Sequence, residues 1–240
     1  MAIADAARWL CKRHVQKLTG EKATIARSVW LDHVYRLFYY DAHPFDGAPH
    51  HPLKNRQIDF SNTPEARLRR ELFDALRQKR KFALRLGHLK KDGDWVPHNR
   101  HMKGLLKLKH HAGYIAEVLN GATPDADKSA VALGALSAWR SLGEDDIQLP
   151  LRQKGVDMRI GLDISTMTLK HQVDTIILVT GDSDFIPAAK LARREGVEFI
   201  LDPMWQSVEA DLEEHVDGIT SGFDRPGTRI EPKQDDEVAA

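Results

Sequence analysis

Residues 176–202, IILVTGDSDFIPAAKLARREGVEFILD, constrain the fold more than any other stretch of the chain. DTIILVT is a short continuous apolar run, which suits a strand buried on both faces as parallel strands are. DFIPAAKLARRE reads as a helix that Gly196 stops, and VEFILD reads as a second strand. Strand, helix and strand in that order imply a parallel sheet with a right-handed crossover, and hence an α/β class. Between the first strand and the helix the chain places Asp182 and Asp184, two residues apart, at the carboxyl end of the strand, where open parallel sheets keep their binding crevice. Two such carboxylates repel, and they stay ionised together when a hard divalent cation sits between them. The competing reading is that Ser183 or Asp184 caps the helix and suits its dipole, worth about 1 kcal/mol. A cap accounts for one aspartate, not for two.

The rest of the chain supplies further elements. ADAARWLCKRHVQKL carries Ala6, Trp9, Leu10 and Leu18 between charges and reads as an amphipathic helix, and HVYRLFYYDA reads as a strand ending near Asp41. The Pro, Gly and Asn content of HPFDGAPHHPLKNRQIDFSNTP predicts a loop. Thr63-Pro64-Glu65 opens a helix with Leu68, Leu72, Phe73 and Leu76 on one face, and KFALRLGHL is the next strand. Residues of about 98–150 form two helical stretches split by NGATPDAD and are expected to be a helical insertion or cap. RQKGVDMRIGLDISTMTLKHQV has mostly helical spacing, SVEADLEEHVDGI makes a closing helix, and 223–240 is polar enough for a disordered tail. The expected organisation is one domain over 1–222 with that insertion.

A third acid joins the corner. Asp157 begins the helix that precedes the first apolar strand, and such a helix starts at the carboxyl edge of a parallel sheet, so Asp157 can face the crevice beside Asp182 and Asp184. Three acids on one edge read as a magnesium or manganese cage. Asp163 follows six residues on, rotated by roughly a hundred degrees, and reads as an ordinary helix residue or a substrate-side group.

RQKGVDMRIGLDI followed by IILVTGDSDFIPAAKLARREGVEFILD resembles the NYN domain, the LabA-like (DUF88) branch of the PIN-like ribonuclease superfamily, closely over Lys154–Asp202 and more loosely at FYYDA and FALRLG. The resemblance implies a Rossmann-like three-layer α/β/α sandwich with a mainly parallel sheet. It also implies Mg2+ or Mn2+ held by Asp157, Asp182 and Asp184, with Ser183 in the hydroxyl position, for hydrolysis of RNA phosphodiesters. That family usually opens with a central strand ending in an Asp-Gly motif, and nothing before ADAARWL supplies one. Either the start is an internal methionine or the protein is a variant with a depleted site, in which case it binds RNA or regulates without cutting. Asp5 is the nearest stand-in for the lost acid, but it sits in a predicted helix.

Charge is the next constraint. Lys plus Arg and Asp plus Glu each total 35, so net charge favours no partner. From Arg77 to Gly113, however, eleven Lys or Arg face only Asp92 and Asp94, and such a patch attracts phosphate backbones. Lys103, Lys107 and Lys109 within it, with Lys154, Arg193 and Arg194 near the acidic blocks, are the expected substrate contacts; a solvated helix face and dipole-answering helix ends are the plainer readings. His50, His51, His110 and His111 invite zinc, but adjacent histidines diverge on a helix and the single cysteine, Cys11, leaves no Cys ligand set. One cysteine also excludes an internal disulfide and fits a reducing compartment. No G-x-G-x-x-G or Walker A motif is present. GDSDFIPAAKLARREGV also looks like the fourth motif of haloacid-dehalogenase-type phosphatases, but their upstream Asp-x-Asp-x-Thr corner is missing. No stretch reaches the roughly 18 apolar residues of a membrane span and no signal peptide is visible, so a cytoplasmic protein is expected, with a homo-oligomer compatible.

Overall fold

The computed structural model describes residues 3–20, 29–225 and 227. In chain order the elements are α1 (Ile3–Thr19), β1 (Leu37–His43), β2 (His50–His51), β3 (Arg56–Gln57), α2 (Pro64–Arg77), β4 (Phe82–Lys91), β5 (Val96–Pro97), α3 (Asn99–Leu119), α4 (Ala126–Arg140), β6 (Ile147–Gln148), β7 (Leu151–Lys154), α5 (Val156–Leu169), β8 (Thr175–Val179), α6 (Ile186–Arg194), β9 (Glu198–Asp202), α7 (Ala210–Glu214) and β10 (Gly218–Ile219). The chain divides into two compact units, one of Met1–Asp41, Arg70–Gly87 and Gly155–Ala240, the other of Ala42–Arg69 and His88–Lys154.

The first unit is built on the strand–helix–strand unit read from the sequence. β8 pairs in parallel with β9, Ile177 opposite Ile200, and β9 pairs in parallel with β10, so the order is β10-β9-β8. Ile164 of α5, Ile176 and Leu178 of β8, Ala189 and Ala192 of α6, and Phe199 of β9 share one buried core with Phe185 and Val197. Small alanines on α6 let that helix lie close to the sheet, which is why Ala189 and Ala192 are fully buried. A second core joins Val15 of α1 to Trp30, Leu31 and Leu37, with Phe82 packed against it. In this unit β1 lies beside β4, and the Leu37 amide donates to Lys81 O at 2.9 Å.

In the second unit 88–91 of β4 pair antiparallel with 151–154 of β7, β2 pairs antiparallel with β3, and β5 with β6. α3 and α4 pack as a hairpin whose turn is fixed by Tyr114, which accepts from the Asp125 amide at 2.9 Å and shares a 2.6 Å hydrogen bond with Ser129. Asp125 caps α4 by accepting from the Lys128 amide.

Four expectations need correction. The strands do not form one mainly parallel sheet: parallel pairing occurs in β8–β9–β10, while β4–β7, β2–β3 and β5–β6 are antiparallel. Residues 152–154, read with the following helix, are strand, because Gly155 takes φ +76° and turns the chain sharply into α5. The loop predicted after Asp41 contains the β2–β3 ribbon. The closing helix stops at Glu214, because Asp217 accepts from the Phe199 amide at 2.8 Å while its own amide donates to Phe199 O at 2.8 Å, drawing 218–219 into β10. Of the expected tail, 226 and 228–240 lie outside the described residues. No described helix is long and apolar enough to cross a membrane.

Candidate active site at the carboxyl edge of the parallel sheet

β8 ends at Val179, and the Thr180 amide donates to Asp202 O at 3.1 Å, one step beyond the last strand pair. The chain then turns through Gly181 into a short 3-10 turn, Ser183–Phe185, which runs directly into α6. Asp182 is the cap of that turn: its Oδ1 accepts from the Asp184 amide at 3.0 Å, and its own amide donates to Thr180 Oγ1 at 3.1 Å. The capping role therefore falls to Asp182, not to Ser183 or Asp184 as the sequence suggested, and Asp184 is left with an uncommitted carboxylate.

Asp157 lies in the first turn of α5, and Asp157, Gly161 and Ser165 follow at four-residue steps along one helix face. Opposite them stand Asp184, Phe185, Pro187 and Ala188, and together they line an open cavity of about 300 Å³. Gly161 and Ser165 are small enough to leave that space, and Asp157 and Asp184 both face it. Among the described residues neither of these two carboxylates has an ion-pair partner. Asp157, Asp182 and Asp184 do not bring carboxylate oxygens within 4.8 Å of one another as a trio; among the described residues a carboxylate oxygen each of Asp211 and Glu214 and a ring nitrogen of His215 do come that close, around the short α7. Those three were not singled out in the sequence.

The remaining expected contacts scatter. Ser183 is half-buried in the turn between the two aspartates. Arg193 donates to Asp217 at 2.8 Å and to Glu214 O at 3.2 Å, so it braces α7 against α6. Arg194 donates to Glu195 at 3.3 Å and is exposed. Both arginines sit at the C-terminus of a nine-residue helix, between two and three turns from Asp184 in the turn that precedes it. Lys154 is exposed at the end of β7 in the second unit. There too, Lys103, Lys107 and Lys109 are exposed on α3; the first two share a face, and Lys109 turns away from it. His51 is no zinc ligand, since its ring packs against Trp95 at 4.4 Å, tilted by 54°, and both nitrogens hold backbone partners, at Leu53 and Lys54 on one side and Glu144 on the other.

Asp163 points away from the cavity. Its Oδ2 accepts from Tyr40 Oη at 2.9 Å and from Arg85 Nε at 2.8 Å, which ties α5 to β1 and β4. Burial, and then the Asp163 carboxylate, push the Tyr40 phenol above its ordinary pKa, so it remains a donor to Asp163. Asp5 pairs with Lys79 at 2.8 Å on α1, and the lysine holds its carboxyl below the ordinary value, so it is not a stand-in acid at the sheet edge. Burial pushes the Cys11 thiol up to about 12, which leaves it no nucleophile.

A network absent from the sequence reading lies at the end of β9. Asp202 is fully buried, 2.7 Å from His14 Nε2, and accepts from the amides of Met204 at 2.8 Å and Gly222 at 3.0 Å. Gly222 is required there, since a Cβ would stand 2.5 Å from Leu10 and 3.0 Å from His14. Beyond it, Met204 and Trp205 adopt φ +49° and +67°, a left-handed conformation that costs each bulky residue about 1–3 kcal/mol. The signal that could have flagged this loop is a tryptophan in the otherwise small and polar stretch DPMWQS.

No curated protein and no solved structure matches the chain. The span from 120 to 221 encloses Lys154–Asp202, all three aspartates of the corner and the whole β8–α6–β9 unit, and over those residues, 120–221, the chain matches the family model of the NYN domain.

Proposed function

We propose that the protein is a metal-dependent ribonuclease of the LabA-like (DUF88) NYN branch that hydrolyses RNA phosphodiesters at the carboxyl edge of β8. The observation that carries this is the pair of uncommitted carboxylates, Asp157 and Asp184, facing one cavity inside the region that matches the NYN domain. NYN domains belong with PIN-like nucleases, whose substrates are nucleic acids.

The donor set fits Mg2+ or Mn2+. Both are hard ions that take oxygen ligands, and Mg2+ in particular is commonly held by one or two carboxylates while it keeps several waters. When bound, such an ion lowers the pKa of water and offsets charge on the scissile phosphate. Asp157 and Asp184 then hold the ion from two elements, α5 and the turn before α6. Asp182 keeps that turn in shape through its cap and adds a second negative charge beside Asp184. The Ser183 hydroxyl lies between them in sequence and is suited to donate to a phosphate oxygen. Cations are still needed along the substrate, and exposed Lys103, Lys107, Lys109 and Lys154, with Arg194, are the side chains assigned to that role; Arg193 is the weakest of the assigned contacts because Asp217 already holds it.

The second reading is an RNA-binding or regulatory protein with a depleted site, favoured by the observation that the three aspartates do not converge as a trio. One substitution separates the two. Asparagine caps a helix as well as aspartate does, so Asp182→Asn removes charge while retaining the cap. In a cleavage assay on single-stranded and structured RNA with Mn2+, Mg2+ or chelator, the ribonuclease cuts only with metal, and Asp182→Asn, which keeps the cap and loses the charge beside Asp184, cuts more slowly. Residual activity equal in wild type and variant sinks this site, and RNA binding without cutting establishes the second reading.

The basic patch is tested independently. Neutralising Lys103, Lys107 and Lys109 together is expected to weaken RNA binding and to reduce the slope of log K against log salt by about 1.4, at roughly 0.7 for each of the two lysines that share a face. An unchanged slope takes α3 out of the substrate path.

A further inference from the structure

A second cavity, of about 610 Å³, opens at the same edge of the first unit, over the ends of β9 and β10. Its volume lies within the range of small-molecule sites. Trp205 lines it with about half of its surface exposed, and the indole is fixed in place because its Nε1 donates to Phe223 O at 2.8 Å. An aromatic face that is both held rigid and left open to solvent, on a backbone kept in the left-handed region, is unusual for a residue whose only task is packing.

The polar groups around it decide the ligand. Arg13 and Lys17, one turn apart on α1, face Asp224 and Glu213, so the cavity is electrically balanced and does not suit a bare phosphate. Arg13 reaches Asp224 at 3.3 Å and stacks over Trp9, yet its Nε is buried without a hydrogen-bond partner. Lys17 donates to Thr220 Oγ1 and Ser221 O. Gln206 adds an amide that offers both a donor and an acceptor. A flat heterocycle with donors and acceptors on its rim matches a rigid aromatic face, a balanced charge and an amide edge. A nucleobase is such a heterocycle.

Position completes the argument. A Cβ on Gly181 would stand 3.4 Å from Gln206 Oε1, so the lining of this cavity touches the turn that carries Asp182 and Asp184. We propose that the cavity takes one unpaired nucleobase of a single-stranded RNA, stacked on Trp205 with its rim on Gln206, and so sets which phosphate lies over the acidic corner. This rests on RNA being the substrate of that corner. A base can enter only when it is out of a duplex, so the pocket selects single strands.

The test is the anisotropy of labelled RNA octamers of A, C, G and U, with a duplex as control, on the full chain in chelator. Trp205→Ala is expected to weaken single-strand binding about tenfold and to leave duplex binding unchanged, as loss of one stacked base does. Trp205→Phe should stay within about threefold of wild type. Trp205→Gly, which relieves the left-handed backbone, should bind as poorly as Trp205→Ala while melting no lower than wild type, which separates lost stacking from lost structure. Gln206→Ala is expected to narrow the affinity spread among the four octamers. Unchanged single-strand affinity in Trp205→Ala, or Trp205→Phe no better than Trp205→Ala, overturns the proposal. Because binding is read without metal, it stands apart from cleavage: a chain that cuts nothing but loses tenfold on Trp205→Ala upholds the base pocket and sinks the ribonuclease reading, and the reverse pattern does the opposite.

Discussion

Asp202→Ala is expected to destabilise the fold by about 3–5 kcal/mol and to lower the melting temperature by on the order of 10 °C. The carboxylate is fully buried at the end of β9 and receives four donors, from His14, the amides of Met204 and Gly222, and Ser221. Truncation strands these groups in a water-free site, and a stranded buried donor costs more than its hydrogen bond contributed. The sign of the pH dependence follows from the same contacts. Burial alone would raise the Asp202 pKa, but the hydrogen bonds from His14, Gly222 and Met204 outweigh it and hold the group below its ordinary value. A carboxyl depressed in the folded state contributes stability that is fully present above its unfolded pKa of about 3.9 and is lost as pH falls through the folded value below that. Thermal melts between pH 7 and 3 should therefore show wild type approaching Asp202→Ala only at the acid end. Parallel curves across the range would mean that folding leaves the Asp202 pKa unchanged, and a gap that grows toward acid would mean that Asp202 is protonated in the fold.

What the residues disclosed in advance, and what they hid, follows the range of the interactions. The β8–α6–β9 unit was legible because its signals are local: an apolar run buried on both sides, a helix with a proline in its first turn, and Gly196 at φ +81° where the helix must end. Asp157 and Asp184 could be placed on one edge because chain direction alone fixes where a helix before a parallel strand begins. β7 was not legible, since Leu151–Lys154 carries three polar residues in four and becomes a strand only because 88–91 pair with it. The His14–Asp202 pair joins residues 188 apart and leaves no trace in either neighbourhood. Trp205 ran against local preference outright, a bulky side chain at a φ that favours glycine, and such a conflict becomes visible only in coordinates. The division of labour among the aspartates was hidden for the same reason, because which carboxylate turns inward to cap and which stays free depends on how Gly181 lets the chain leave the strand.

That division predicts how the free pair behaves. Asp157→Asn and Asp184→Asn are each expected to lower metal-dependent cleavage on the order of 10²–10³-fold, and the double substitution to lower it little further. Both side chains are exposed and lack ion-pair partners among the described residues, so folding stability should move by no more than about 0.5 kcal/mol, and the loss is then one of function. Two ligands of one ion act as a unit: removing either leaves a site that no longer holds the ion in place, and the second removal takes away what is already lost. Asp182→Asn in the same series tests charge without geometry, since its cap survives. A readout apart from turnover comes from titrating Mn2+, where each single Asn variant should raise the half-saturating concentration in RNA-free binding measurements. If the two single losses multiply in the double variant, or if one aspartate proves neutral while the other is essential, the acids do not share an ion, and the cavity between α5 and the turn before α6 is not where the chemistry takes place.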